Sequence, residues 1–193
     1  RMQPARRSAD QAFHADGASH AFCIGDFWAW SMSDLASNAT RGVLAEFLVA
    51  QALGGARPTD VRSEWAAYDL RTPEGHTIEV KSSAFVQTWA QSGHSRPVFS
   101  IRPARGWDAD TGTTAQTASR SADVYVFALL AHRDQATLDP SDVSQWEFFV
   151  LATGELERRF GPQQSLSLGS LRSASESVSF AELRGAVKAA VSA

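Results

Sequence analysis

Residues 69–84, DLRTPEGHTIEVKSSA, decide how this chain is read. Ile78 and Val80 alternate with Glu79 and Lys81, which is the period of a half-buried strand. Pro73-Glu74-Gly75 is a turn signal, and the run before it, residues 60–72, DVRSEWAAYDLRT, reads as a partner strand. With the turn centred on Glu74, paired residues have numbers that add to 148, so Asp69 faces Glu79 and Ala67 faces Lys81. Cross-strand partners share a face of the sheet. Asp69, Glu79 and Lys81 are therefore expected on one side of the hairpin, and Tyr68, Leu70, Ile78 and Val80 on the other.

The lysine in this strand is unusual. Only Lys81 and Lys188 occur in the chain, and the other 16 of the 18 basic residues are arginine. Lys188 lies in a C-terminal run, SFAELRGAVKAAV, that reads as a solvated helix. Lys81 sits instead beside two acids. Opposed carboxylates in a partly buried place repel, so one takes a proton or a cation lies between them. Hard oxygen ligands suit magnesium or manganese. The plainer reading is a cross-strand salt bridge on a wet sheet face. Glu46 weighs against it, as the one carboxylate on an apolar helix that precedes the hairpin.

That helix is NATRGVLAEFLVAQALGG, with Asn38 as its expected N-cap and Gly54-Gly55 as its stop. Its apolar residues fall on nearly every side, which predicts a largely buried helix. Arg41, five residues from Glu46, is not an ideal helical partner for it. Residues 1–20 read as a loose polar arm, and residues 22–35 as a short aromatic helix or turn. RPVFSIR is a third strand, and TGTTAQTASRSA a loop leading into or containing a short helix. DVYVFALLAH is a strand buried on both faces, and QWEFFVLAT another strand before the short helix GELERRFG. A serine-rich linker, residues 165–179, leads to the last helix, where Ser179 and Glu182 have capping-box spacing. The order predicts an α/β (α+β) domain with a mixed central sheet flanked by helices. Its core is residues 38–152, within one domain of residues 21–193, and residues 153–193 form a helical appendage.

The 193 residues carry a net charge of −3, so any nucleic-acid surface must be local. One cysteine, Cys23, excludes an internal disulfide and fits a reduced, cytoplasmic setting. It is expected to be buried. No apolar run is long enough to span a bilayer. The five histidines have no metal-ligand spacing, and Trp89 and Trp107 read as packing residues.

Glu46 on a helix, Tyr68-Asp69 on one strand and Glu79-Val80-Lys81 on the next resemble the PD-(D/E)XK nuclease superfamily. The resemblance spans residues 38–131, and Tyr68 stands where that pattern often has proline. It implies a restriction endonuclease-like core. It also implies a metal-dependent nuclease acting on DNA, with RNA left open, in restriction, repair or recombination. Asp69, Glu79 and the main-chain carbonyl of Val80 would hold Mg2+ or Mn2+. Lys81 would orient the attacking water, and Glu46 would complete the catalytic set. Residues expected to touch nucleic acid are Arg41, Ser82, Ser83, Gln87, Arg102 and Arg120. The alternative is a catalytically inactive relative that binds nucleic acid or assembles with other subunits. Many members are dimers, which admits a homodimer here. Segments around residues 27–47 and 119–151 also resemble a group of bacterial proteins, which supplies no activity.

Overall fold

The computed structural model describes residues 4–54, 61–62, 67–108 and 111–192. Within the N-terminal arm lies a short antiparallel hairpin, β1 (Ala12–Ala15) and β2 (Ala18–Cys23). Its turn is Asp16-Gly17, both with positive φ, the dipeptide such a tight turn demands. Phe13 and Phe22 bring their rings to 5.1 Å across it. Helix α1 (Ile24–Met32) follows, with Asp26 accepting the Cys23 amide at its start. None of its residues is buried, and Trp30 is 84% exposed. Cys23 is half-buried rather than buried.

Helix α2 (Asn38–Leu53) is capped by Ser37, one residue before the expected cap, and Ser37 accepts the Thr40 amide. Gly54 ends it in the left-handed region at φ 69°. Ala45, Leu48, Val49 and Leu53 are buried, but Phe47 is half exposed, so α2 packs by one face rather than on nearly every side.

The hairpin pairs in the expected register. Strand β3 (Leu70–Arg71) runs antiparallel to β4 (Thr77–Ala84), with Leu70 opposite Ile78 and Arg71 opposite Thr77. Gly75 closes the turn at φ 101°, where a side chain would be strained. Among the described residues of the expected run 60–72, only Leu70–Arg71 are strand; residues 60 and 63–66 of that run lie outside the described residues. The third strand, β5 (Val98–Ser100), does not join β4. It pairs later in the chain with β10 (Ser165–Ser167). Between residues 101 and 123 the described chain has only the two-residue strands β6 (Trp107–Asp108) and β7 (Thr113–Thr114), and no helix.

Strand β8 (Val124–Leu130) lies parallel to β4 and antiparallel to β9 (Trp146–Ala152), giving a mixed sheet of order β3-β4-β8-β9. Every β8 residue is buried, as a strand covered on both faces requires. Asp123 sets the parallel register: its carboxylate accepts the Thr77 amide and hydroxyl at 2.8 and 2.9 Å. Those bonds hold the Asp123 carboxyl below the usual range. After β9 come α3 (Thr153–Phe160), β10, α4 (Leu168–Ala174) and α5 (Leu183–Val191). The serine-rich stretch is thus ordered as β10 and α4, because Leu166, Leu168 and Leu171 are buried. Ser179 and Glu182 do bond, amide and hydroxyl to one carboxylate oxygen, ahead of α5.

Alternation divides the core. Ile78, Val80, Val124, Val126 and Phe148 pack with α2 and with Leu183 and Val187 of α5. Tyr125, Phe127, Leu129 and Phe149 face the opposite way, toward Phe99, Leu156, Leu166 and Leu171. Glu79 and Lys81 alternate with Ile78 and Val80 and so lie on this second face, in register with Tyr125 and Phe127. No helix of the described residues is long and apolar enough to cross a membrane.

Candidate active site

The first half of β4 gathers the acids. Asp69 stands just before β3 and donates its amide to the Ile78 carbonyl at 3.0 Å. Its carboxylate accepts the Val80 amide at 2.7 Å, so the side chain takes up a backbone donor of β4 just beyond the β3 pairing. Glu79 lies beside it and is ion-paired to Lys81 on the same strand face. Glu79 and Lys81 are both partly buried.

Burial pushes the Asp69 carboxyl up to about 6, helped first by the charge of Glu79 and then by that of Glu46; the Val80 amide and Lys81 oppose the rise. The repulsion expected between Asp69 and Glu79 is therefore present, and Glu46 belongs to the same field. Among the described residues, Lys81 pairs with Glu79 and Arg62 with Glu46, and no cation pairs with Asp69.

Glu46 projects from α2, and its partner is one that the spacing of the helix could not name. Arg62 grips it in a fork, Nε to Oε2 at 2.5 Å and Nη2 to Oε1 at 2.8 Å. Arg62 comes from the segment after α2, beyond any helical spacing rule. Tyr125 was also not foreseen. It lies opposite Glu79 on β8, and burial, with the charge of Glu79 next, raises its phenol to about 12. It is a neutral wall to the acidic cluster. Its position in a buried apolar strand was the only signal for it.

Among the described residues, no three His, Cys, Asp or Glu side chains form a ready-made metal cage. The donor set is instead two neighbouring carboxylates, Asp69 and Glu79, with Glu46 held aside by Arg62. That set fits an ion that keeps most of its water and takes one or two carboxylates, as Mg2+ does, rather than one needing a full protein cage.

Further along β4, a cavity of about 390 Å³ opens between the start of α2, the end of β4 and the loop before β5. It is lined by Arg41, Ser82, Ser83 and Gln87, four of the six residues predicted to touch nucleic acid, and by Asn38, Trp89 and Arg96. Trp89 is 54% exposed and Trp107 40%, so neither is a core residue.

Arg102 is exposed and outside this lining. Arg120 is a correction. It is buried, donating to the carbonyls of Ile101, Gly161 and Gln163 at 2.7, 3.0 and 2.9 Å and pairing with Glu157. It ties the chain just before β8 to Ile101 and to the turn after α3, and offers nothing to a ligand.

Comparison with curated proteins finds no match. A family model described as Bacteriophage T4 endonuclease IV matches residues 29–169, from within α1 to the start of α4. That span holds Glu46, Asp69, Glu79, Lys81 and the whole cavity lining. It covers well over half of the 193 residues, and the chain therefore belongs to the bacteriophage T4 endonuclease IV family.

Proposed function

We propose that the chain is an endonuclease that hydrolyses phosphodiester bonds in DNA, using a PD-(D/E)XK-type site and Mg2+ or Mn2+. Membership of an endonuclease family supports DNA cleavage in general. One observation carries the finer reading: Asp69, Glu79 and Lys81 lie together on one face of β4, and burial and its acidic neighbours raise the Asp69 carboxyl pKa to about 6. Asp69, Glu79 and the Val80 carbonyl would hold the cation. When bound, such an ion lowers the pKa of a coordinated water and offsets charge on the phosphate.

The chain's own groups account for the rest. Lys81 is a compact ammonium, suited to orient a water and to sit against developing phosphoryl charge. Glu79 holds that ammonium in place on the strand. Glu46, paired with Arg62, adds a third carboxylate to the field at Asp69. Tyr125 walls the acids from the core.

The direct test is cleavage of single-stranded, duplex and branched DNA, and of RNA, with and without Mg2+ or Mn2+. Lys81→Ala and Asp69→Ala should each abolish cleavage. Activity that survives both substitutions, or is indifferent to chelation, contradicts the assignment. The second reading, binding without cleavage, is favoured by the salt bridges that already occupy Glu46 and Glu79. The same assay separates the two.

A further inference from the structure

We infer that the cavity at the end of β4 is a subsite for one non-scissile phosphodiester of the bound strand, with Arg41 as its buried cation and Arg96 as its exposed one. The inference rests on the nucleic-acid reading above but not on catalysis.

Arg41 is only 4% exposed, yet among the described residues no carboxylate meets it. Its Nη1 donates to the Ala36 carbonyl at 3.1 Å and to Gln87 Oε1 at 3.4 Å, and its Nη2 to Asn38 Oδ1 at 2.6 Å. All three acceptors are neutral. Its Nε is buried with no partner. Burial alone lowers its pKa. A buried guanidinium without an anion is costly to keep, and it is normally paired. Among the described residues none supplies that anion, and a bound phosphodiester would.

The surroundings suit that anion. Arg41 stands in the first turns of a 16-residue helix, whose amino end is a positive pole. The Ser82 and Ser83 side chains line the cavity, and exposed Arg96 stands at it from the opposite loop. The cradle is also rigid. Gln87 is locked by its own amide to the Ala84 carbonyl at 3.0 Å, and its backbone amide is taken by Gln91, whose side-chain amide in turn holds Ser95. Guanidinium forks match phosphate oxygens in two-point fashion. Ser83 lies two residues beyond Lys81 on the same face of β4, so a strand crossing the acidic cluster would pass the cavity about one nucleotide further on.

The test uses full-length Lys81→Ala protein, which cannot consume its ligand under the proposed mechanism. Its binding to a short DNA oligonucleotide is measured by fluorescence anisotropy. Single linkages are replaced in turn by neutral methylphosphonates. One off-scissile replacement should weaken binding by about tenfold. Adding Arg96→Ala, or Arg41→Gln where thermal melting shows it folded, should weaken binding to unmodified DNA similarly and erase the effect of that replacement. The slope of log affinity against log salt should fall by roughly 0.7 to 0.9 for the lost contact.

If no off-scissile linkage matters, or if the penalty is unchanged in Arg96→Ala, the subsite is overturned. It is likewise overturned as a strand site if inorganic phosphate binds as tightly as the oligonucleotide. A positive linkage scan in a protein that never cleaves DNA keeps the subsite and refutes the nuclease reading. Metal-dependent cleavage with a flat scan does the reverse.

Discussion

Lys81 is the only lysine outside the last helix, and under the proposed mechanism its placement is one that arginine would not fill. Its ammonium meets Glu79 as a single point of charge on a partly buried strand. A guanidinium is broader, forked and planar, and would displace the neighbouring acids or a water. Lys81→Arg should therefore fold with unchanged melting but lose activity by about 10²-fold or more; an active arginine variant would remove this explanation. Asp69 gives a second test. Its folded pKa, about 6, lies above the ordinary aspartate value near 4 that it would have unfolded. The folded state thus binds the extra proton between these values. Stability present below about pH 4 is lost as pH rises through 6, by up to roughly 3 kcal/mol. Asp69→Asn keeps an oxygen for the Val80 amide and removes the charge. It should stabilise the fold by about 1–3 kcal/mol at pH 8 in urea denaturation and by much less at pH 4. It should also abolish cleavage. If Asp69 holds Mg2+ as proposed, the ion competes with the same proton, and adding it should lower the Asp69 pKa in a carboxyl NMR titration.

At the scale of elements, Arg120 separates structural cations from binding ones. It ties three carbonyls and Glu157 together across the chain. Arg120→Ala leaves those groups without their donor and should cost about 3–5 kcal/mol in denaturant unfolding. DNA affinity of the folded protein should hold. Arg102→Ala should change stability by under about 0.5 kcal/mol. Nothing in the sequence distinguishes these two arginines, since burial of a long side chain depends on which distant carbonyls converge on it. The hairpin was legible because register follows from turn position and alternation, both local. Strands β8 and β9 were legible from continuous apolar runs, and α3 from its polar-apolar pattern. Strand β10 and helix α4 were hidden: three buried leucines among serines carry too little local signal, and the partner of β10, β5, lies some 65 residues earlier. The β1–β2 hairpin did carry a cue, Asp16-Gly17, within an otherwise aperiodic arm. Arg62 was invisible for the same reason as Arg120. Its bond to Glu46 spans 16 residues, beyond any local spacing rule. The site was thus readable as a list of acids but not as a charge balance.

Considered whole, the molecule builds its site on a helix that needs covering from outside the family match. That match ends at residue 169, yet Leu183 and Val187 of α5 are buried against α2, β8 and β9. Helix α2 carries both Glu46 and Arg41, so the C-terminal helix clamps the element that orders the acidic cluster and the cavity together. Leu183 is fully buried, and Leu183→Ala should cost about 2–5 kcal/mol, the usual range for a leucine cavity. Ending the chain after Ser175 removes the whole clamp and bares one face of α2 and β9. That protein should lose its cooperative thermal transition and gain dye-accessible apolar surface. If it melts like the full chain, α5 is an appendage, and α2 is held by β4 alone. The milder substitution distinguishes support of the site from loss of the fold. At temperatures where Leu183→Ala remains folded, its oligonucleotide affinity should fall toward that of the Arg41→Gln variant only if α5 sets the position of α2.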